Sequence, residues 1–488
     1  MILAIDIGTT SAKAALFDLG GRCLALERRS IQGWMGNSPL EQEIDPREWK
    51  RALYELVAGL SSGRSSGLSD LRCIAVSGNG PTLFPVDEAG EPLYRALTWM
   101  DRRAFEESKE LKVALGRELD PAFNLPKALW FKNHREAIYA GTRYFASCPE
   151  YICALLTGRW VSFLPAPGYE AIIWDDRSLD LLGLDKEKFP PFLPLGAVVG
   201  GVSDPAAATM GLPKGTPVVA GGPDFIVSLI GTATTSPRRA CNRSGTSEGI
   251  NLCWEKGLPR HKGLLYMPHV VAPYENISGV ISSSGRALTW YMEKVQKASI
   301  DQGEFFALVS KASAGAEGLI FLPYLAGERA PIWDPKARAC FIGLSLRHGG
   351  AEMARAVVES IGFAMRDVME LMASTGAKVA ELRVTGQPSG NAVLNRIKAD
   401  ITQVPIRVPE FKEAELLGDL CVALTALGQF PDPATAAESL VIINECYEPD
   451  PLLKDLYDEL FGLYRRSYRS LKDVFSGLSE LSRKSSEM

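Results

Sequence analysis

Histidine is scarce in this chain, four in 488 residues, and His134, His261, His269 and His348 stand far apart, so no zinc-type ligand cluster is expected. The nine cysteines include no Cys-x-x-Cys; the nearest pair is Cys148 and Cys153. An odd, dispersed set speaks against a disulfide framework and fits buried thiols in a reducing cytoplasm. No apolar run approaches the twenty or so residues that cross a membrane. The apolar opening is cut by Asp6 and lacks a basic flank, which argues against a signal peptide. Basic charge is not in excess either, with 53 Lys and Arg against 58 Asp and Glu, so nothing recommends nucleic acid as a partner. A Walker A loop is absent as well. What remains is a cytoplasmic protein that handles small molecules, with neither membrane nor nucleic acid as partner.

What is present is an alternation of strand-like and helical runs, the pattern of an α/β protein, in a chain long enough for two domains. Ile2–Ile7 reads as a strand and Ala12–Phe17 as its hairpin partner, with "GTTS" between them. Pro46–Leu60 has the apolar spacing of an amphipathic helix; Ser61–Gly67 reads as a loop and "CIAVSG" as a buried strand. "TLFPVDEAGEPLYRALTWMDRRA" reads as two short strands about a turn at Glu88–Glu91, and "NLPKALWFKNHRE" and Tyr151–Leu156 as helices. Pro217–Ala220 reads as a strand running into a Gly-Gly-Pro-Asp turn, with a helix from Phe225 to Ile230. Further on come helices near Ala287–Gln296, Glu352–Met372, Asn391–Ile401 and Glu413–Leu427, with strands in "GLIFLPYL" and "ELRVTG". After Pro431 the pattern is a charged, aromatic helix with a Ser-rich end. Its aromatic residues Tyr447, Tyr457, Phe461, Tyr464 and Tyr468 suit a packing face, and Arg465, Arg466 and Arg469 a solvated one.

Two stretches share one grammar. "AIDIGTTSAKAALFD" and "ACNRSGTSEGINLCW" each place a turn of Gly, Ser and Thr between apolar strands, about half a chain apart. Such a turn offers amides and hydroxyls to phosphate oxygens, and Asp6 beside the first offers a carboxylate to Mg²⁺. The competing reading is an ordinary hairpin with local hydrogen bonds. Asp224, after a strand and at a helix start, is either an N-cap or a base able to take a proton from an attacking hydroxyl.

Taken together, "IDIGTTSAKAALFD", "PVVAGGPD", "SGTSE", "FLPYLAGERAP" and "RVTGQPSGN", in this order, resemble the FGGY family of carbohydrate kinases. The longest match is "ARACFIGLSLRHGGAEMARAVVE", Ala337–Glu359, and the resemblance runs from Met1 to about Phe430. It implies two actin-like, ribonuclease H-like ATPase domains flanking a nucleotide and substrate cleft. It implies an N-terminal domain over 1–248, a C-terminal domain over 249–430 and a helical extension over 431–488. The activity implied is transfer of the ATP γ-phosphoryl group to a hydroxyl of a small sugar, a ketose such as a pentulose, or a polyol. The alternative is a non-catalytic member that binds sugar or nucleotide and regulates.

By the same likeness Asp224 is the catalytic base, and Asp6 and Asp224 are the candidate Mg²⁺ ligands. Gly8, Thr9, Thr10, Ser11, Lys13, Gly245, Thr246 and Gly285 would surround the nucleotide phosphates. Gly386, Gln387 and Asn391 would edge the nucleoside pocket. Asn79, Gly80, Trp99, Asp101, Asp224 and Phe225 would face the sugar. A small sugar or polyol is the expected substrate, and a homodimer the expected assembly.

The departures fall mostly where the sugar is expected. Asn79, Gly80 and Pro81 stand where many pentulose kinases of the family have Gln-Met-His, and Phe225 follows the acid where Asn or Gln is common. Gln387 replaces a second glycine after Gly386. Glu248 adds an acid beside the second phosphate turn, which is electrostatically awkward unless it points away or reaches a cation or a substrate hydroxyl.

Overall fold

In the computed structural model, which describes residues 1–35, 40–62, 67–117, 119–296 and 300–486, the chain forms two compact units. One comprises Met1–Ala233 and Ala414–Leu440, the other Thr234–Glu413 and Val441–Met488. Part of the expected Ser61–Gly67 loop lies outside the described residues.

The first unit is built on a six-stranded sheet in the order Val198–Gly201, Pro217–Pro223, Cys73–Gly78, Ile2–Ile7, Ser11–Phe17, Cys23–Ser30. Ile2–Ile7 is buried at every position, as a central strand covered on both faces must be. It runs antiparallel to Ser11–Phe17, pairing Asp6 with Lys13, and parallel to Cys73–Gly78, pairing Ile7 with Gly78. Cys73–Gly78 in turn lies parallel to Pro217–Pro223, pairing Gly78 with Pro223. Three parallel strands thus end side by side at one edge, the usual place for ligands in such sheets. Asp6–Gly8, Asn79–Pro81 and Asp224 all leave that edge. The Pro217 strand continues through a bulge at Gly221 to Pro223 where a Gly-Gly-Pro-Asp turn was expected, and the next helix begins at Asp224.

The second unit repeats the plan. Its seven-stranded sheet runs Leu265–Pro268, Glu275–Ile281, Glu248–Trp254, Arg239–Ser244, Glu381–Thr385, Ile406–Pro409, Ile443–Tyr447. Arg239–Ser244 again pairs antiparallel with its hairpin partner and parallel with the strand on its other side. The Gly350–Ser374 helix packs its apolar stripe, including Val357, Ile361, Met365 and Val368, into this unit's core.

The expected division at 248/249 and 430/431 differs from this packing. The hairpin from Arg239 to Trp254 belongs wholly to the second unit, whereas the Ala414–Ala426 and Pro433–Leu440 helices return to the first. The last segment is not a separate extension. Ile443–Tyr447 adds an edge strand to the second sheet, and Tyr457, Phe461, Tyr464 and Tyr468 of the Lys454–Ser486 helix are buried against that unit's core. Arg465, expected on a solvated face, makes ion pairs with Asp367 at 3.2 Å and Glu370 at 3.3 Å.

Candidate active site

In the first unit the turn after Ile2–Ile7 is tight. Gly8 N–H donates to the Ser11 carbonyl at 3.0 Å, and a Cβ on Gly8 would lie 2.8 Å from that oxygen, so only glycine fits. Thr10 is exposed, and Gly8, Thr9 and Ser11 are half-buried, which leaves a polar rim at the strand ends. Beneath it, Asp6 is 2% exposed. Lys13 Nζ stands 3.8 Å from Asp6 Oδ2 and 3.5 Å from Glu415 Oε2. Ser77 Oγ lies 3.3 Å from Asp6 Oδ1 and 2.7 Å from Asp419 Oδ2. Burial pushes the Asp419 carboxyl well above the ordinary range, opposed by the hydroxyl that Ser77 donates to it.

Glu415 and Asp419 were not foreseen. Their signal is visible afterwards: two acids four residues apart on a helix, Ala414–Ala426, whose other side chains are largely apolar and buried.

Asp224 opens the Asp224–Gly231 helix and is half-buried, as is Phe225. Ser228 Oγ donates to the Asp224 carbonyl at 2.7 Å and reaches Glu415 Oε1 at 3.0 Å, fastening the first turn of that helix. No side-chain cap closes the helix start. Asp224 is therefore the first helical residue rather than the N-cap.

The residues expected to face the sugar divide in two. Trp99 is half-buried and donates its indole N–H to the Thr9 hydroxyl at 3.0 Å, which ties it to the phosphate turn. Gly80 stays at the strand-end edge, also half-buried. Asn79 and Asp101 are fully buried. Asn79 donates to the Ile7 carbonyl at 3.0 Å and accepts from Thr82 at 2.6 Å. Asp101 accepts from Gln42 N–H at 2.8 Å and from the Arg103 guanidinium at 2.8 Å, within an ion network that includes Glu43. Their polar atoms hold the loops from inside, and the expectation of sugar contact gives way to that role because both are cut off from solvent. Arg102 is paired with Asp120 at 3.0 Å.

In the second unit, Thr246 is exposed at the tip of the Ser244–Glu248 turn. Gly285 N–H donates to the Gly245 carbonyl at 3.0 Å and Arg286 N–H to the Thr246 carbonyl at 3.1 Å, which fixes the turn against the start of the Gly285–Trp290 helix. Gly386, at φ 90°, lies so close to the turn that a Cβ there would stand 2.0 Å from the Ser244 carbonyl. Beside it is a cavity of about 250 Å³ whose lining includes Leu288, Phe306, Gln387, Pro388 and Asn391. Asn391 also caps the Ala392–Thr402 helix, accepting from Leu394 N–H at 3.0 Å.

The question raised by Glu248 has a direct answer: it reaches a cation. Glu248 is fully buried and pairs with the equally buried Lys398, while accepting hydrogen bonds from Ser244 Oγ at 2.7 Å and Ser284 Oγ at 2.6 Å. Burial penalises its charge, but Lys398, with these hydrogen bonds, outweighs that and holds the carboxyl below its usual range. The acid sits behind the turn while Thr246 faces out.

Among the described residues no group of three acid, His or Cys side chains is set to hold a metal unaided, and no helix is long and apolar enough to cross a membrane. Carboxylate oxygens at Asp6 and Asp224 suit a hard cation that arrives with phosphate oxygens completing its shell.

Residues 1–231 match the profile described as the N-terminal domain of the FGGY family of carbohydrate kinases, and residues 240–427 that of its C-terminal domain. The chain is 27% identical over 497 residues to a xylulose kinase of Staphylococcus epidermidis, covering 98% of both chains. It is 26% identical over 507 residues to a gluconokinase of Bacillus subtilis, covering 98% of this chain and 96% of that one. A ligand-bound xylulose kinase from Lactobacillus acidophilus superposes with a TM-score of 0.87 at 25% identity, over 98% of this chain and 99% of that one. The architecture is accordingly the two-domain actin-like, ribonuclease H-like α/β fold. With both profiles matched over residues 1–231 and 240–427, well over half of its length, the chain belongs to the FGGY family of carbohydrate kinases.

Proposed function

We propose that the protein transfers the γ-phosphoryl group of Mg²⁺-ATP to a hydroxyl of a small neutral sugar, a pentulose before a polyol. The observation that carries the reading is the single edge at which the Gly8 turn, Gly80 and Asp224 emerge from three neighbouring parallel strands. The relatives named xylulose kinase support the pentulose.

In this reading Gly8–Ser11 and Lys13 bind phosphate oxygens in the first unit, and Gly245, Thr246 and Gly285 do so in the second. The 250 Å³ cavity beside Gln387 and Asn391 takes the nucleobase. Asp6 and Asp224 would hold the metal, which when bound neutralises phosphate charge. Asp224 orients the acceptor hydroxyl and accepts its proton at a carboxylate oxygen as the new O–P bond forms and the bond from the γ-phosphorus to the bridging oxygen breaks, ADP leaving with that oxygen. Lys13 keeps a positive charge near Asp6 and the transferring group; Trp99, Gly80 and Phe225 shape the acceptor wall. Phosphoryl transfer asks mainly for position and charge, and these residues supply both.

The test is ATP consumption by the full chain across a panel of ketoses, polyols and aldonates. Acceptor-dependent turnover with a pentulose is the expected result. Tight nucleotide binding without turnover on any acceptor would replace this reading with a regulatory binder.

A further inference from the structure

Lys127 lies on the Asn124–His134 helix among Leu125, Ala128, Leu129 and Phe131, and it is fully buried. A methionine would fill similar space without removing a charged group from water. What the lysine adds is two donated hydrogen bonds, to the Thr98 carbonyl at 2.8 Å and to the Pro81 carbonyl at 3.1 Å. These acceptors belong to segments that meet only through tertiary packing. One carries Asn79 and Gly80 at the end of the Cys73–Gly78 strand. The other leads directly into Trp99, whose indole holds Thr9.

We propose that Lys127 is a positioning residue for the sugar acceptor: by fixing the Pro81 and Thr98 carbonyls it sets where Gly80 and Trp99 stand, without itself touching the sugar. The inference rests on the kinase reading above and on the placement of the acceptor at this edge.

Two further observations bear on it. Thr98 is anchored on its other side, its N–H and hydroxyl both donating to the Gln42 carbonyl, so the segment has one rigid arrangement that Lys127 completes. Burial drives the ammonium down to about 7, opposed by the charges of Asp101 and Asp120 and assisted by those of Arg102 and Arg103, as expected of an amine removed from water. Without the amine, the Pro81 carbonyl loses this donor and the Thr98 carbonyl keeps only the Asp101 N–H at 3.0 Å, so the tie between the two segments is gone. A displacement of either segment acts on the acceptor wall and leaves the second unit's turn and cavity alone.

The experiment compares wild type, Lys127→Met and Lys127→Gln as full-length proteins, using the acceptor that wild type turns over best. For Lys127→Met the acceptor KM should rise at least about tenfold, the loss of one good hydrogen bond's worth of orientation. The KM for ATP and the Kd for Mg²⁺-ADP should stay within about threefold. Lys127→Gln, which keeps an N–H donor pair, should fall between wild type and Lys127→Met; if the methionine variant does not fold, it carries the comparison alone. Equal rises in both KM values, a fall in kcat at unchanged acceptor KM, or a lower Tm with unchanged kinetics would each overturn the inference. A wild type with no acceptor-dependent ATP consumption would instead overturn the kinase reading itself.

Discussion

At the scale of single residues, the proposed function assigns chemistry and support to different side chains. Asp224, half-buried at a strand-end edge, is the residue to which the proposed function gives the chemistry. Asp224→Ala should lower kcat by about 10²–10⁴-fold or more, with the Kd for ADP nearly unchanged, as steady-state kinetics and calorimetry would show. Residual transfer near the wild-type rate would remove Asp224 from the role of base. Glu248 and Lys398 are placed for support. Lys398→Met should destabilise the protein by about 3–5 kcal/mol in urea unfolding, because it leaves a buried carboxylate without its cation. Adding Glu248→Gln should recover much of that loss; a double variant no more stable than the single one would show that the pair is not the source. That Asp6, the Gly8 turn and Asp224 stand at strand ends was legible from residue type and order. The burial of Asn79 and Asp101 was not, since whether a polar side chain faces ligand or protein depends on neighbours such as Ile7 and Gln42 that only folding brings near.

At the scale of elements, most strands and helices follow from periodicity and turn residues. The hairpin of Ile2–Ile7 with Ser11–Phe17, the Pro46–Ser61 helix capped by Asp45, and the Glu381–Thr385 strand all lie where the pattern places them. The edge strand Ile443–Tyr447 was missed because its alternation is weak and its register comes from Ile406–Pro409. The packing of the Asp224–Gly231 and Ala414–Ala426 helices depends on two glycines. A Cβ on Gly418 would stand 2.0 Å from the Val227 carbonyl, and one on Gly231 1.8 Å from the Ala414 carbonyl. Gly418→Ala should therefore cost at least about 1–3 kcal/mol through forced separation of the helices. The control is Gly477→Ala at an exposed position of the Lys454–Ser486 helix, where a Cβ meets nothing within 4 Å. There alanine should stabilise by about 0.5–1 kcal/mol, and a loss at Gly477 as large as at Gly418 would refute the packing argument.

At the scale of the whole molecule, the pH dependence of stability reflects buried acids in both units. Burial raises Glu150 in the first unit and Glu328 in the second to about 7, against 4.5 in an exposed chain. A folded-state value above the unfolded one means that the stabilising contribution is complete below about pH 4.5 and is lost as pH rises through 7. Glu328→Gln, which keeps an oxygen for the Ser282 and Arg329 amides, should gain stability relative to wild type between pH 5 and pH 8. Unfolding titrations at those two pH values would show it, and a constant difference would refute it.

The sequence by itself determined the α/β class, the two Gly/Ser/Thr turns with their acids, and the family. These depend on residue type and spacing along the chain. Tertiary structure decided that 414–440 returns to the first unit, that Glu415 and Asp419 lie beside Lys13 and Ser77, that Glu248 meets Lys398, and that Lys127 joins Pro81 to Thr98. Each of these is a contact between residues distant in the chain, and burial makes it selective: a charge or donor shut away from water must find its partner wherever packing brings one.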